Sequence, residues 1–100
     1  MAKVESDFQS SLEDELYERF PECFIHKLDP DFCQGVPDLL FLYKDKWALL
    51  EVKRSKKERE KPRPNQEYYV NKFNNMGFSR FIYPENKEEV INEMERTFKP

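Results

Sequence analysis

The chain has 100 residues, 38% of them hydrophobic and 15% aromatic, with 17 basic against 20 acidic side chains and a formal net charge of −3. That length suits one domain over residues 1–100, which buries only about two thirds of the surface its unfolded form exposes, so a partner copy would help it. The composition argues against a disordered chain, no apolar run approaches the roughly 20 residues that cross a bilayer, and Met1 to Asp7 lacks a signal peptide's apolar stretch; an intracellular protein with no membrane association is expected.

The first predicted element is a helix: Phe8, Leu12, Leu16 and Phe20 recur every four residues and form one slowly drifting apolar stripe, with Asp7, Asp14 and Glu18 opposite. Pro21 stops it, and Phe24 to Leu28 is aromatic and branched enough for a first strand. Asp29 to Gly35 reads as a loop containing Pro30 and ending on a residue that tolerates tight backbone geometry. Cys23 and Cys33 lack CxxC spacing, and His26, the only histidine, offers no second imidazole for zinc, so both thiols are read as free.

Pro37 to Tyr43 and Trp47 to Val52 are apolar runs separated by Lys44-Asp45-Lys46, a hairpin signal. Because both runs are apolar on both faces, they are expected at the centre of a sheet covered by helices, which means α/β layering. Two positions break the pattern. Asp38 is a carboxylate in an apolar strand, costly to bury unless it is paired or binds a metal. Glu51 and Lys53 share one face of the second strand while Val52 points the other way, and the hairpin brings that face beside Asp38. Two acids and an ammonium would then converge where a hard cation can neutralise the acids. An ion-pair cluster without metal explains the same residues taken singly.

Directly afterwards, Lys53 to Arg63 holds seven basic residues and two acidic ones, a local charge of +5 that leaves −8 on the rest of the chain. Such a strip is either a solvated loop or a surface built to meet an anion. Pro64 suits the first turn of a further helix, with Tyr69, Val70, Phe73 and Met76 on its apolar face and Gly77 as C-cap. Ser79 to Tyr83 is a fourth strand. Asn86 with Glu89 forms a capping-box pattern for a last helix lined by Val90, Ile91, Met94 and Phe98. Trp47 is expected in the core, His26 as a packed or exposed strand residue, and Tyr68, off its helix's apolar face, is free to touch a base or a partner copy.

Pro37-Asp38 followed by Glu51-Val52-Lys53 resembles the signature of the PD-(D/E)xK nucleases. Arg63-Pro64-Asn65-Gln66 leading to Tyr69 and Met76-Gly77 resembles the Gln-containing helix of the virus-type replication-repair nucleases (VRR-NUC), and Ser11-Leu12-Glu13-Asp14 resembles the acidic helix of phage endonuclease I type junction resolvases. The resemblance implies a restriction-endonuclease-like αβββαβ core with a C-terminal helix and a mixed four-stranded sheet. It implies an endonuclease that hydrolyses DNA phosphodiesters with Mg²⁺ or Mn²⁺. Asp38, Glu51, the Val52 carbonyl and Glu13 would hold the metal, Lys53 would orient or activate water, and Gln66 would organise the site. Glu13 lies about 20° beyond Phe20 on the helical wheel, at the edge of the apolar stripe, and Glu5 within the stripe is its rival. Arg54, Lys56, Lys57, Arg59, Lys61 and Arg63 would grip the phosphate backbone, positioning the nucleic acid without reading bases. The implied substrate is branched DNA, such as a phage-type four-way (Holliday) junction in recombination or repair, cut by a homodimer. A monomeric flap or nicking enzyme and a catalytically silent nucleic-acid-binding module are the alternatives.

Overall fold

The computed structural model describes residues 4–29, 31–61 and 63–100, with side chains from residue 7 onward; Pro30 and the side chain of Glu5 lie outside the described residues. The elements run α1 (Val4–Arg19), β1 (Phe24–Lys27), β2 (Leu39–Tyr43), β3 (Lys46–Val52), α2 (Lys56–Arg59), α3 (Gln66–Met76), β4 (Ser79–Ile82) and α4 (Lys87–Phe98). This is the expected order, with the one-turn α2 added inside the basic strip. Its signal was local: Ser55 precedes Glu58 by three residues, and the Ser55 hydroxyl accepts the Glu58 N–H at 3.2 Å, as a helix N-cap does.

The sheet is mixed, in order β1-β2-β3-β4, with antiparallel pairs β1/β2 and β2/β3 and a parallel pair β3/β4. The two strands read as apolar on both faces are its central pair. The hairpin between them is tighter than the sequence pattern implied, because Lys46 already pairs with Tyr43 and only Lys44 (φ 56°) and Asp45 turn the chain. A parallel neighbour for β3 requires a crossover, which α3 supplies.

Alternation along β3 sorts the layers. Ala48, Leu50 and Val52 enter the main core with Leu12 and Leu16 of α1, with Phe20 just after it, and with the Val90, Ile91, Met94 and Phe98 side of α4. Phe20 is fully buried and meets the Phe41 and Tyr43 rings edge-on, each at 5.1 Å. Arg19 ties the two helices on this inner face together, bonding Glu95 at 2.8 Å, Asn92 at 2.6 Å and Glu15 at 3.2 Å, while Lys87 bonds Glu15 at 2.7 Å. Leu49, Glu51 and Lys53 point to the outer face, where α3 lies over β3 and β4 and buries Val70.

Three local expectations are corrected. Asn86 stands at the N-cap of α4, but its side chain does not cap the helix: it accepts the Tyr83 N–H at 2.8 Å and donates to the Phe81 carbonyl at 3.0 Å, securing the end of β4. Met76 is 63% exposed, because the close contact at the end of α3 is taken by Gly77, where an added Cβ would fall 2.5 Å from the Trp47 ring. Pro64 precedes α3 within a turn closed by the Gln66 N–H to the Arg63 carbonyl at 3.1 Å. Both cysteines are free, Cys23 buried and Cys33 exposed, and burial pushes the Cys23 thiol up. Among the described residues no helix is long and apolar enough to cross a membrane.

Candidate active site

Asp38 sits one residue before β2, behind the fully buried Pro37, and joins three strands. Its backbone carbonyl accepts the Leu28 N–H at 2.8 Å, extending the β1/β2 ladder by one rung, and its carboxylate accepts the Val52 N–H of β3 at 2.9 Å. The carboxylate thus replaces the backbone partner that β2 no longer offers β3 at this end of the sheet. It also lies in hydrogen-bond contact with Glu51. Burial pushes the Asp38 pKa above the ordinary carboxylate range, although the Val52 N–H, the Glu51 contact and the charges of Lys53 and Lys27 pull the other way.

The period of two places Glu51 and Lys53 on the outer face, under the first turn of α3, and both are almost fully buried, at 3% and 6% exposure. Gln66, the first residue of α3, connects them. Its carbonyl oxygen accepts the Lys53 ammonium at 2.7 Å and the Arg63 N–H at 2.9 Å, while its amide donates to Glu51 at 3.0 Å. One neutral side chain therefore holds an acid and a base at fixed positions and closes the turn that starts its own helix. A buried ammonium and carboxylate are tolerable only with such partners.

A cavity of about 380 Å³ opens over this cluster. Asp38, Glu51, Lys53 and Gln66 line it, and Arg54, Lys61 and Arg63 border it. Arg54 is held by Glu58 at 2.8 Å, and the Arg54 backbone N–H, donating to the same carboxylate at 3.0 Å, together with that ion pair keeps the Glu58 carboxyl below its usual range. Lys56 and Lys57 are exposed on α2. Arg59 departs from the expected strip: its guanidinium lies over the Phe81 ring at 3.9 Å and faces Glu67 at 3.8 Å, so it fastens α2 to the sheet and α3. It does not line the acid cavity.

The Asp38 and Glu51 carboxylates form an all-oxygen donor set. A strand residue's N–H and C=O leave on the same edge, so the Val52 carbonyl shares the edge whose N–H Asp38 binds. This set fits a hard divalent cation that takes one or two carboxylates and keeps several waters. Among the described residues no third His, Cys, Asp or Glu is close enough to share an ion with them. Glu13 is half-buried on α1 with its carboxylate on the Gln9 amide at 3.3 Å, and is not brought to the cluster. His26 is exposed and stacks on Phe24 at 6.2 Å, away from the cavity. Tyr68 is 60% exposed on α3.

No family model matches the chain, and no curated protein matches it. Among solved structures the chain is similar to one described as a VRR_NUC domain, with a TM-score of 0.71 and 24% identity over 91% of this chain and 97% of that one. The fold is that of a VRR_NUC domain, over nearly the whole length of both chains.

Proposed function

We propose that this chain is an endonuclease that hydrolyses DNA phosphodiester bonds with Mg²⁺ or Mn²⁺. The observation that carries the reading is the convergence of Asp38, Glu51, Lys53 and Gln66 at one end of the sheet, in a cavity bordered by Lys61 and Arg63. Asp38 and Glu51, with the Val52 carbonyl, hold the cation. The bound ion supplies Lewis-acid charge at the phosphate and lowers the pKa of water at the site. Lys53, fixed by Gln66, places a positive charge where negative charge develops on the phosphate oxygens. Lys61 and Arg63, with the exposed Lys56 and Lys57, meet the flanking backbone phosphates and position the strand without reading its sequence. Glu13 is a further acid for the cation only if α1 and Gln9 rearrange when the ion binds.

The test is cleavage of plasmid and oligonucleotide DNA with and without Mg²⁺. Asp38→Asn, Glu51→Gln and Lys53→Ala should each lower the rate by about 10²-fold or more while the circular dichroism spectrum is kept. Absence of Mg²⁺ and Mn²⁺ binding by titration, with full activity in the triple variant, would sink the assignment and leave the silent binding module.

The finer reading is a phage-type junction resolvase acting inside the cell as a homodimer. One domain carries one set of site residues, and two symmetric cuts across a four-way junction call for two copies related by a two-fold axis. The outer face of the β1/β2 end supports self-association: Phe24 and its cross-strand neighbour Leu42 are 55% and 40% exposed there. Sedimentation, with gel assays on four-way junction, flap and linear duplex, tests this. A monomer that nicks flaps and ignores junctions overturns the resolvase reading and leaves the nuclease standing.

A further inference from the structure

Phe32 is 89% exposed, more than any other large hydrophobic side chain among the described residues. Leaving a phenyl ring in water forfeits the favourable free energy of burying it, yet the loop around it is well tied. On one side the Asp29 carboxylate accepts the Asp31 N–H at 2.9 Å, and the Asp29 carbonyl accepts the Phe32 N–H at 3.2 Å. On the other side the Cys33 thiol meets the Tyr69 hydroxyl of α3 at 3.3 Å, and the Val36 N–H donates to the Cys33 carbonyl at 3.2 Å. Gly35, at φ +93°, packs so closely on Asn65 that an added Cβ would lie 2.6 Å from its side chain. The ring is therefore held outward by a loop anchored to the start of the Gln66 helix.

That loop forms one wall of a second cavity, of about 460 Å³, a size ordinary for small-ligand sites. Asp31 and Gln34, one position before and two after Phe32 in the chain, line it on the loop side, and Asp38, Arg63 and Gln66 line it opposite. The last three also line the acid cavity, so the two cavities meet at Asp38. A strand with its scissile phosphate at Asp38 has one flank along Lys61, which lines the acid cavity alone, while Arg63 stands where the two cavities meet. The strand's other flank enters a space whose loop wall offers an amide and a carboxylate, a wall that repels phosphate and suits the edge of a base.

We propose that Phe32 is a stacking platform for an unpaired base next to the scissile phosphate, with Gln34 and Asp31 facing that base's polar edge. A paired base in a duplex already has both faces stacked; only an unpaired one offers a free face to a protein ring. The inference rests on the nuclease reading and deepens it, since it selects substrates with an unpaired nucleotide at the cut: branch points, flaps and single strands.

The probe is a set of forked oligonucleotides, each with 2-aminopurine at one unpaired position beside the fork, bound to the full chain in chelator. The wild-type protein should quench the fluorophore at one position. Phe32→Ala should abolish that quench and weaken binding to the fork by roughly 5- to 150-fold, the worth of one stacked base, while binding to continuous duplex is unchanged. Phe32→Tyr should restore both, and Phe32→Leu, apolar without a π face, should not. Equal losses on fork and duplex, an unaltered quench in Phe32→Ala, or a changed sedimentation mass that makes Phe32 a contact between copies would each overturn the platform. Cleavage in Mg²⁺ separates the two readings: a wild-type protein that cuts, with Phe32→Ala cutting forks and duplex as well as wild type, sinks the platform alone. A wild-type protein that quenches but never cuts sinks the nuclease.

Discussion

Asp38→Asn should make the metal-free protein more stable while abolishing cleavage. In the folded chain the Asp38 carboxyl is partly buried against Glu51, and burial raises its pKa above the ordinary value near 3.9. A raised folded-state pKa means that the group's favourable contribution is complete only below the unfolded pKa and is lost as pH rises through the folded one. At neutral pH the ionised acid is therefore a cost. Asparagine removes that charge, keeps an oxygen for the Val52 N–H now bonded at 2.9 Å, and turns an amide toward Glu51. Removing one buried charge of this kind should add about 0.5–2 kcal/mol. For a domain of this size each kcal/mol raises the melting temperature by about 4–8 °C. Urea melts in chelator should show the gain at neutral pH and show it shrinking as pH falls toward about 3.5. Mg²⁺ at a hundred times its dissociation constant should then stabilise the wild type by about 2.7 kcal/mol and the variant by much less. A variant less stable than wild type in chelator at neutral pH, or one that gains as much from Mg²⁺, would refute the reasoning.

Gly35→Ala meets both a left-handed backbone at φ +93° and the Asn65 side chain at 2.6 Å, so denaturant melts should show a loss of about 2–4 kcal/mol. Cleavage should fall with it, because the loop faces Gln66 and Asp38 across the second cavity. Charge reversal at Lys56, Lys57 and Lys61 should weaken binding to all DNA sequences alike and reduce the slope of log affinity against log salt by up to about 3; an unchanged slope returns the segment to a solvated loop. Lys87 and Arg19 hold the Glu15 carboxyl, and Arg19 the Glu95 carboxyl, below the usual range. The stability they contribute is present above the ordinary carboxylate pKa and lost as pH falls through the lowered one. Arg19→Ala should therefore flatten the fall in stability between neutral pH and about pH 3, and acid titrations with the same steepness as wild type would contradict it.

Much of the architecture was legible in the sequence because it follows from local periodicity. The four-residue stripe of α1, the two apolar runs of the hairpin and the alternation along Leu49 to Lys53 each report a backbone geometry that short stretches of chain determine by themselves. The same alternation put Glu51 and Lys53 on one face, and Asp38 stood out as an acid at the head of the other apolar run, so the centre of the candidate site was readable before any fold. Tertiary structure alone decided what those groups touch. Side-chain direction is a property of one strand, whereas a partner depends on register between elements far apart in the chain. Only the packing of α3 on the outer face puts the Gln66 amide between Lys53 and Glu51, and only the β2/β3 register brings the Asp38 carboxylate to the Val52 N–H. For the same reason charge counting grouped Arg59 with the basic strip, while packing drew it onto the Phe81 ring. The capping pattern at Asn86 likewise named an N-cap whose side chain the end of β4 had already taken. Phe32 shows the limit most plainly: its residue type reads as core material, and only the tertiary structure leaves it in solvent, on a loop fastened to the start of α3 through Cys33 and Gly35.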